Sequence, residues 1–252
     1  MSDFDGKRVL VTGATRGIGR ATALAFHAQG ARVAVNGRDP AKVGETIREL
    51  GGGERLIPAP GDVASAAGCR RVVDGAVAAL GGLDVLVNNA GVYRSGPVES
   101  FDEAEFDRMY AINVKAPHFC TVAALPALRA SKGSIVNVAS ESGMMGDRSC
   151  AVYCGSKGAV VNWTRSLALE LAPDVRINCV CPGAVDTDMM WGDAAQRADA
   201  AAYMEGVKNY YPMRRIARPD EIAAAILYLA SDAAGFVTGS MLSIDGGSTA
   251  GH

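Results

Sequence analysis

The feature that most constrains this chain is an alternation. Short apolar runs bounded by turn residues take turns with longer stretches whose apolar residues recur at helical spacing. Residues 8–12 read as a buried strand, a glycine-punctuated turn follows, and Ile18, Ala21, Thr22, Ala25 and Phe26 then recur with helical period up to Gly30. The unit repeats with a strand at 32–36 and a helix that Asp39 caps and Pro40 opens, running to about Leu50. Further strands are expected at 55–58, 83–88, 133–139, 175–181 and 240–244, and further helices at 66–80, 150–171 and 220–230. Residues 102–128 have the length and periodicity of one long helix, with Pro117 and Pro126 kinking or ending it. Parallel neighbours need helical crossovers, so this order predicts an α/β, doubly wound Rossmann domain with about seven parallel strands and helices on both faces. No linker rich in Pro, Gly or Ser divides residues 1–252, so one domain is expected.

Composition narrows the function classes. The formal charge of −2 and the lack of a basic run interleaved with aromatics argue against a nucleic-acid partner. The polar start of the chain and the absence of a long apolar stretch argue against a membrane and point to a cytoplasmic protein. The six cysteines have spacings that fit neither a disulfide scaffold nor a zinc knuckle and read as reduced, mostly buried thiols. His27, His118 and His252 lack the clustered spacing of metal ligands, so no metal is expected. Ser140 does not stand in a G-x-S-x-G elbow, which sets a hydrolase aside.

The first turn reads Thr12-Gly13-Ala14-Thr15-Arg16-Gly17-Ile18-Gly19. Glycines there let the backbone approach a pyrophosphate, and its charge is met by the free N–H groups of the following helix. The second strand ends Val35-Asn36-Gly37-Arg38, with Gly37 where an acid would hold the ribose of NAD. Arg38 and Arg16 could instead flank a 2′-phosphate, so NADP(H) is the expected cofactor and NAD(H) the alternative.

The strand at 133–139 delivers Ser140 to the sheet edge where ligands bind in open parallel sheets. Tyr153 and Lys157 follow four apart, on one helical face. A phenol near its reference pKa of about 10 is a poor proton carrier at neutral pH, and an adjacent ammonium is expected to draw it down. With Asn88-Asn89-Ala90-Gly91 after the fourth strand and the closing Asp245-Gly246-Gly247, this set resembles the short-chain dehydrogenase/reductase family, in particular its 3-oxoacyl-(acyl carrier protein) reductases, over almost the whole chain.

That resemblance implies that Tyr153 is the general acid or base, that Lys157 lowers its pKa and binds the nicotinamide ribose, and that Ser140 holds the substrate oxygen. It further implies that Asn113, in the long helix, holds a water of the proton relay. Asp62 and Val63 would meet the adenine. Asn89, Ala90 and Gly91 would line the same cleft, and Pro182, Gly183, Val185 and Thr187 would touch the nicotinamide end. A homotetramer is also implied. Gly155 departs from the family's usual Ala and loosens the helix by roughly 1 kcal/mol, either for close packing or for flexibility. Lys115, beside Asn113, is expected to face solvent or a neighbouring subunit.

Met144, Met145, Met189, Met190 and Trp191 could form an apolar substrate wall under a lid at 188–211, or could simply be packing residues. Three functions remain open. The first is an NADP(H)-dependent reductase of a 3-oxoacyl thioester or another apolar ketone. The second is an NAD-dependent dehydrogenase of a sugar, polyol or cyclic alcohol, and the third a catalytically silent nucleotide sensor or scaffold.

Overall fold

The computed structural model describes residues 4–251; His252 lies outside them. Strands β1 (Arg8–Val11), β2 (Arg32–Gly37), β3 (Leu56–Pro60), β4 (Val85–Asn88), β5 (Ser134–Val138), β6 (Arg176–Pro182) and β7 (Met241–Ile244) form one parallel sheet. Its order is β3-β2-β1-β4-β5-β6-β7, so the chain reverses direction across the sheet between β1 and β4. The helices are α1 (Gly17–Ala28), α2 (Pro40–Glu49), α3 (Ala66–Leu80), α4 (Glu103–Tyr110), α5 (Ala116–Ser131), α6 (Ala151–Leu171), α7 (Asp188–Ala194), α8 (Ala200–Tyr210) and α9 (Pro219–Ala230). This is the doubly wound architecture expected from the alternation.

Successive strand residues feed two cores, as the two-residue period of a strand requires. Val9, Val11, Val33, Val35, Val85, Val87 and Val136 face Phe26 of α1 and Ile222 and Ile226 of α9. Leu10, Ala34, Leu86, Ile135 and Ile177 face Val72 and Val73 of α3, Cys120 and Ala124 of α5 and Leu171 of α6. Helix starts follow their caps: Asp39, Ser65, Asp102 and Asp199 each accept a hydrogen bond from a first-turn N–H.

One expectation changes in detail. The helix expected over 102–128 is neither ended by Pro117 nor by Pro126. Pro117 stands at the start of α5, directly after a helical turn that continues into it, and α5 also accommodates Pro126 and runs on to Ser131. The irregularity lies earlier, in a π-helical turn at Ala111–Lys115 that joins α4 to α5.

Arg176, at the start of β6, donates to the carbonyls of Leu229, Ala230, Ser231 and Val237 at 2.8 to 3.3 Å, closing the C-terminal end of α9 onto the sheet. A cation there also meets the negative end of the helix dipole. Arg176→Met leaves these four carbonyls without their donor and is expected to cost about 4 kcal/mol in urea unfolding, from hydrogen bonds that contribute about 1 kcal/mol each. A loss within about 0.5 kcal/mol would show the contact to be incidental.

Candidate active site

The C-terminal edge of the sheet opens into a cleft of about 1140 Å³, larger than the usual ~300–1,000 Å³ of small-molecule sites. It begins at the switch point between β1 and β4, where two turns are tied together. The Thr12 hydroxyl accepts from the backbone N–H groups of Asn89 and Ala90 at 3.0 and 3.1 Å, and the Asn89 amide donates to the carbonyls of Thr12 and Gly13 at 2.9 and 3.0 Å. The approach is close enough that a Cβ on Gly13, whose φ is +62°, would lie 2.9 Å from the Ala90 Cα. Asn36, unremarked in the sequence, accepts from Gly13 N–H and donates to the carbonyls of Ala59 and Gly61, fixing the same turn from the other side.

Of the expected cofactor residues, Gly13, Thr15, Arg16, Gly17, Ile18, Arg38, Asp62, Val63, Asn89, Ala90, Gly91, Pro182, Gly183, Val185 and Thr187 all line this cleft, together with Tyr153 and Lys157. Gly19 does not. It is packed behind the turn, where a Cβ would sit 2.3 Å from the Gly13 carbonyl oxygen. Unlike the capped helices above, α1 begins with no side-chain cap and no acid in its first turn, which leaves its first N–H groups open to an anion. A Cβ on Gly37 would come within 2.5 Å of Thr15 Cγ2, so a larger residue there would have to displace the Thr15 side chain. Arg20 and Lys42 are paired with Glu49 and Glu45. Among the described residues Arg16 and Arg38 pair with no carboxylate and stay exposed on the cleft.

β5 and α6 bring Ser140, Tyr153 and Lys157 to the middle of the cleft wall. Ser140 leaves β5 in extended conformation and its hydroxyl accepts from Ser142 N–H at 3.2 Å. The buried Lys157 donates to the Val138 carbonyl at 2.9 Å, with its nitrogen 5.7 Å from the centre of the Tyr153 ring. The Tyr93 ring holds that of Tyr153 from the side, edge to face at 4.8 Å. Asn113 lies beneath the wall rather than in it, inside the π-helical turn. Its amide is taken up by Val92 N–H, the Val92 carbonyl and the Ser156 hydroxyl, at 2.9 to 3.1 Å. It thus braces the segment after Gly91 against α6. Gly155 has a packing reason, since a Cβ would come 2.8 Å from the Tyr110 hydroxyl, and Lys115 is exposed.

The electrostatics depart from the expectation for the phenol. Burial pushes Tyr153 well above its ordinary value, against a hydrogen bond from Ser140 that pulls it down. Lys157 does not offset this: its ammonium donates to the Val138 carbonyl, and burial lowers it to about 8.

Beyond Ser140, Met145, Met189 and Met190 line the cleft, whereas Met144 and Trp191 do not; Trp191 donates to Asp186. Residues 188–211 form α7 and α8, held by the nearly buried Asp193, which accepts from Ser95, Arg197 and Tyr203. Glu141 also lines the cleft, buried, its carboxylate accepting from Tyr211 and Ser248. Its partners are 70 and 107 residues away, so no local sequence signal could single it out.

The family model described as enoyl-(acyl carrier protein) reductase matches residues 13–249. The chain is 39% identical over 248 residues to meso-2,3-butanediol dehydrogenase of Serratia marcescens, covering 98% of this chain and 96% of that one. Its fold matches ligand-free aldohexose dehydrogenase of Thermoplasma acidophilum with a TM-score of 0.90 at 32% identity, over 100% and 97% of the two chains. A glucose/ribitol dehydrogenase of Brucella melitensis, described as a short-chain dehydrogenase/reductase, matches with a TM-score of 0.90 at 36% identity, over 97% of each. This chain is a short-chain dehydrogenase/reductase. As a member of that family it is an oxidoreductase of alcohol or carbonyl substrates and uses a nicotinamide cofactor.

The buried lysine of this dehydrogenase/reductase makes a pH-dependent prediction. Below about 8 the folded and unfolded chains both hold the Lys157 proton and the burial penalty is full. Between there and the ordinary 10.5 only the unfolded chain holds it, so wild-type stability gains with rising pH. Lys157→Met abolishes this titration. The difference in urea unfolding free energy between variant and wild type is therefore expected to move in favour of wild type from about pH 7.5 to about pH 10. A difference that stays constant across that range would place the lysine in a more solvated setting.

Proposed function

We propose that the protein interconverts a secondary alcohol and its ketone with NADP(H), using Ser140, Tyr153 and Lys157. The observation that carries this reading is their convergence on one cleft with the open start of α1 and two unpaired arginines. The first N–H groups of α1 would receive the pyrophosphate, Arg16 and Arg38 the 2′-phosphate, Asp62 and Val63 the adenine, and Pro182 to Thr187 the nicotinamide end. When bound, the nicotinamide supplies or accepts the hydride. As negative charge grows on the carbonyl oxygen, the Ser140 hydroxyl donates to it and Tyr153 gives up its proton. A phenol that burial keeps protonated suits this direction. In the reverse direction Tyr153 takes the alcohol proton, a step that gains from rising pH. Lys157 would hold the nicotinamide ribose, and Asn113, bracing the Gly91–Val92 backbone, would support the relay.

The wall beyond Ser140 mixes Met145, Met189 and Met190 with Asp147 and the phenols of Tyr203 and Tyr210. The cations on the cleft, Arg16, Arg38 and Lys42, stand at the end opened by α1 and β2, and Lys157 alone stands by Ser140. This distribution supports a neutral, hydroxylated substrate over an anionic one, of the kind named for the butanediol, aldohexose and glucose/ribitol dehydrogenases above. Residues 188–211 would act as the lid. The homotetramer rests on the family resemblance, and light scattering checks it.

Tyr153→Phe keeps the ring and removes the proton. It is expected to lower kcat by about 10²–10⁴-fold while leaving NADPH binding, read by nicotinamide fluorescence, unchanged. Arg38→Ala is expected to raise the KM for NADPH by about tenfold and to leave that for NADH alone, from the loss of a charge-assisted hydrogen bond. A wild type that turns over faster with NADH would establish the NAD-dependent sugar or polyol dehydrogenase instead. Cofactor binding without turnover of any alcohol or ketone would establish the silent nucleotide sensor.

A further inference from the structure

The closing Asp245-Gly246-Gly247 motif and the buried Glu141 have no part in the reaction as described so far, yet they meet. The Tyr211 hydroxyl, at the end of α8, donates to Glu141 Oε1 at 2.5 Å and accepts from the Ala184 N–H at 2.7 Å. The Ser248 hydroxyl donates to Glu141 Oε2. Ser248 is in turn presented by a tight turn in which the Asp245 carboxylate accepts from Gly247 and Thr249 N–H, both at 3.1 Å. A Cβ on Gly183 would come 2.7 Å from the Tyr211 ring, 3.1 Å from the Asp245 Cα and 3.2 Å from Glu141 Oε2. Four segments distant in sequence therefore close on one carboxylate: the loop after β5, the loop after β6, the end of α8 and the turn after β7.

We propose that Glu141 is a positioning residue for hydride transfer. Its carboxylate, held by Tyr211 and Ser248, sets Ser140 against the Gly183–Ala184 backbone, so that the reactive edge is in register only when the end of α8 is docked. The inference rests on the reading of Ser140 and Tyr153 given above. The physical argument has three steps. A buried carboxylate needs its hydrogen bonds, since an unpaired one costs more than the pair contributes. Glu141 has donors on both oxygens, and they come from two segments, the end of α8 and the turn after β7, that it joins to the loop after β5. Ser140 is its chain neighbour, and the Ser140 hydroxyl also accepts from the N–H of Ser142 in the short turn that Glu141 opens. A shift of Glu141 thus becomes a shift of Ser140, and displacements of about 1 Å at such a group are worth about 10²-fold in rate.

The test uses the full chain with NADPH and the best ketone of a panel, reading kcat, KM, NADPH dissociation constant and thermal midpoint. Glu141→Leu is expected to lower kcat about thirtyfold, with the NADPH dissociation constant within about threefold of wild type, because the phosphate end of the cleft is untouched. Glu141→Gln is expected to recover kcat to within about fivefold of wild type, because its amide oxygen still accepts from Tyr211 and its amide nitrogen can donate to Ser248. Tyr211→Phe is expected to lower kcat about tenfold, and the Glu141→Leu/Tyr211→Phe pair to be no slower than Glu141→Leu alone, since both act through one contact. A kcat within threefold of wild type for Glu141→Leu, losses that multiply in the double variant, or a Gln variant as slow as the Leu variant would each overturn the proposal. Should the Leu variant fail to fold, Tyr211→Phe decides: a kcat within threefold of wild type overturns it. Tyr153→Phe serves as the control. If it stays active, the reading of the site itself falls, whereas an inactive Tyr153→Phe beside a fully active Glu141→Leu overturns the positioning role alone.

Discussion

Everything at the reactive edge depends on how two diverging turns are tied at the switch point of the sheet. β1 and β4 run side by side, but the chain leaves them in opposite directions across the sheet, and a parallel sheet offers no hydrogen bonds beyond its strand ends to hold them together. The Thr12 hydroxyl and the Asn89 amide supply them, converting two loose turns into one floor for the cleft. Glycine at 13 follows from this, because the clamp leaves no room for a Cβ. Asn89, expected as a cleft-lining residue, is thus first a fastening between turns, and its place on the wall is a result of that.

Lys157 shows what the site costs the fold. Its ammonium is buried, lowered to about 8, and hydrogen-bonded to one main-chain carbonyl, Val138. Buried cations of this kind are disfavoured unless paired, and among the described residues no carboxylate is hydrogen-bonded to it. The same low-dielectric setting strengthens any field the ammonium exerts on a group brought to the cleft. Stability and chemistry therefore pull in opposite directions at one residue, as is common where a binding site is assembled on an otherwise apolar sheet.

Most of the fold was legible because its determinants are local. The apolar runs, the caps at Asp39 and Ser65 and the glycine at the end of α3 each act within a few residues, and seven such strand signals in alternation with helices admit few topologies. The π-helical turn at Ala111–Lys115 was not legible, because it depends on what Asn113 reaches across the molecule, namely Val92 and Ser156. Ser140, Tyr153 and Lys157 could be singled out from spacing together with the family resemblance, whereas the tying roles of Thr12, Asn36 and Glu141 could not, because their partners are set only by the closed sheet. The phenol shift failed for a related reason. Spacing places Lys157 on the right face of α6, but burial and the choice of hydrogen-bond partner, which decide the sign, exist only in three dimensions.

The proton inventory of the edge has a consequence for direction. An ordinary phenol is already protonated at neutral pH, and burial holds Tyr153 further towards that form against the hydrogen bond from Ser140. A substrate oxygen entering between Ser140 and Tyr153 competes for that hydroxyl. A ketone, as an acceptor, leaves the phenol protonated and able to donate as charge builds on its oxygen. On the proposed role, an alcohol would have to give its proton to a phenol that is already protonated, a step favoured by rising pH or by a nearby positive charge. On the proposed roles, Tyr153 would therefore serve as an acid unaided and as a base only with help from a nearby positive charge.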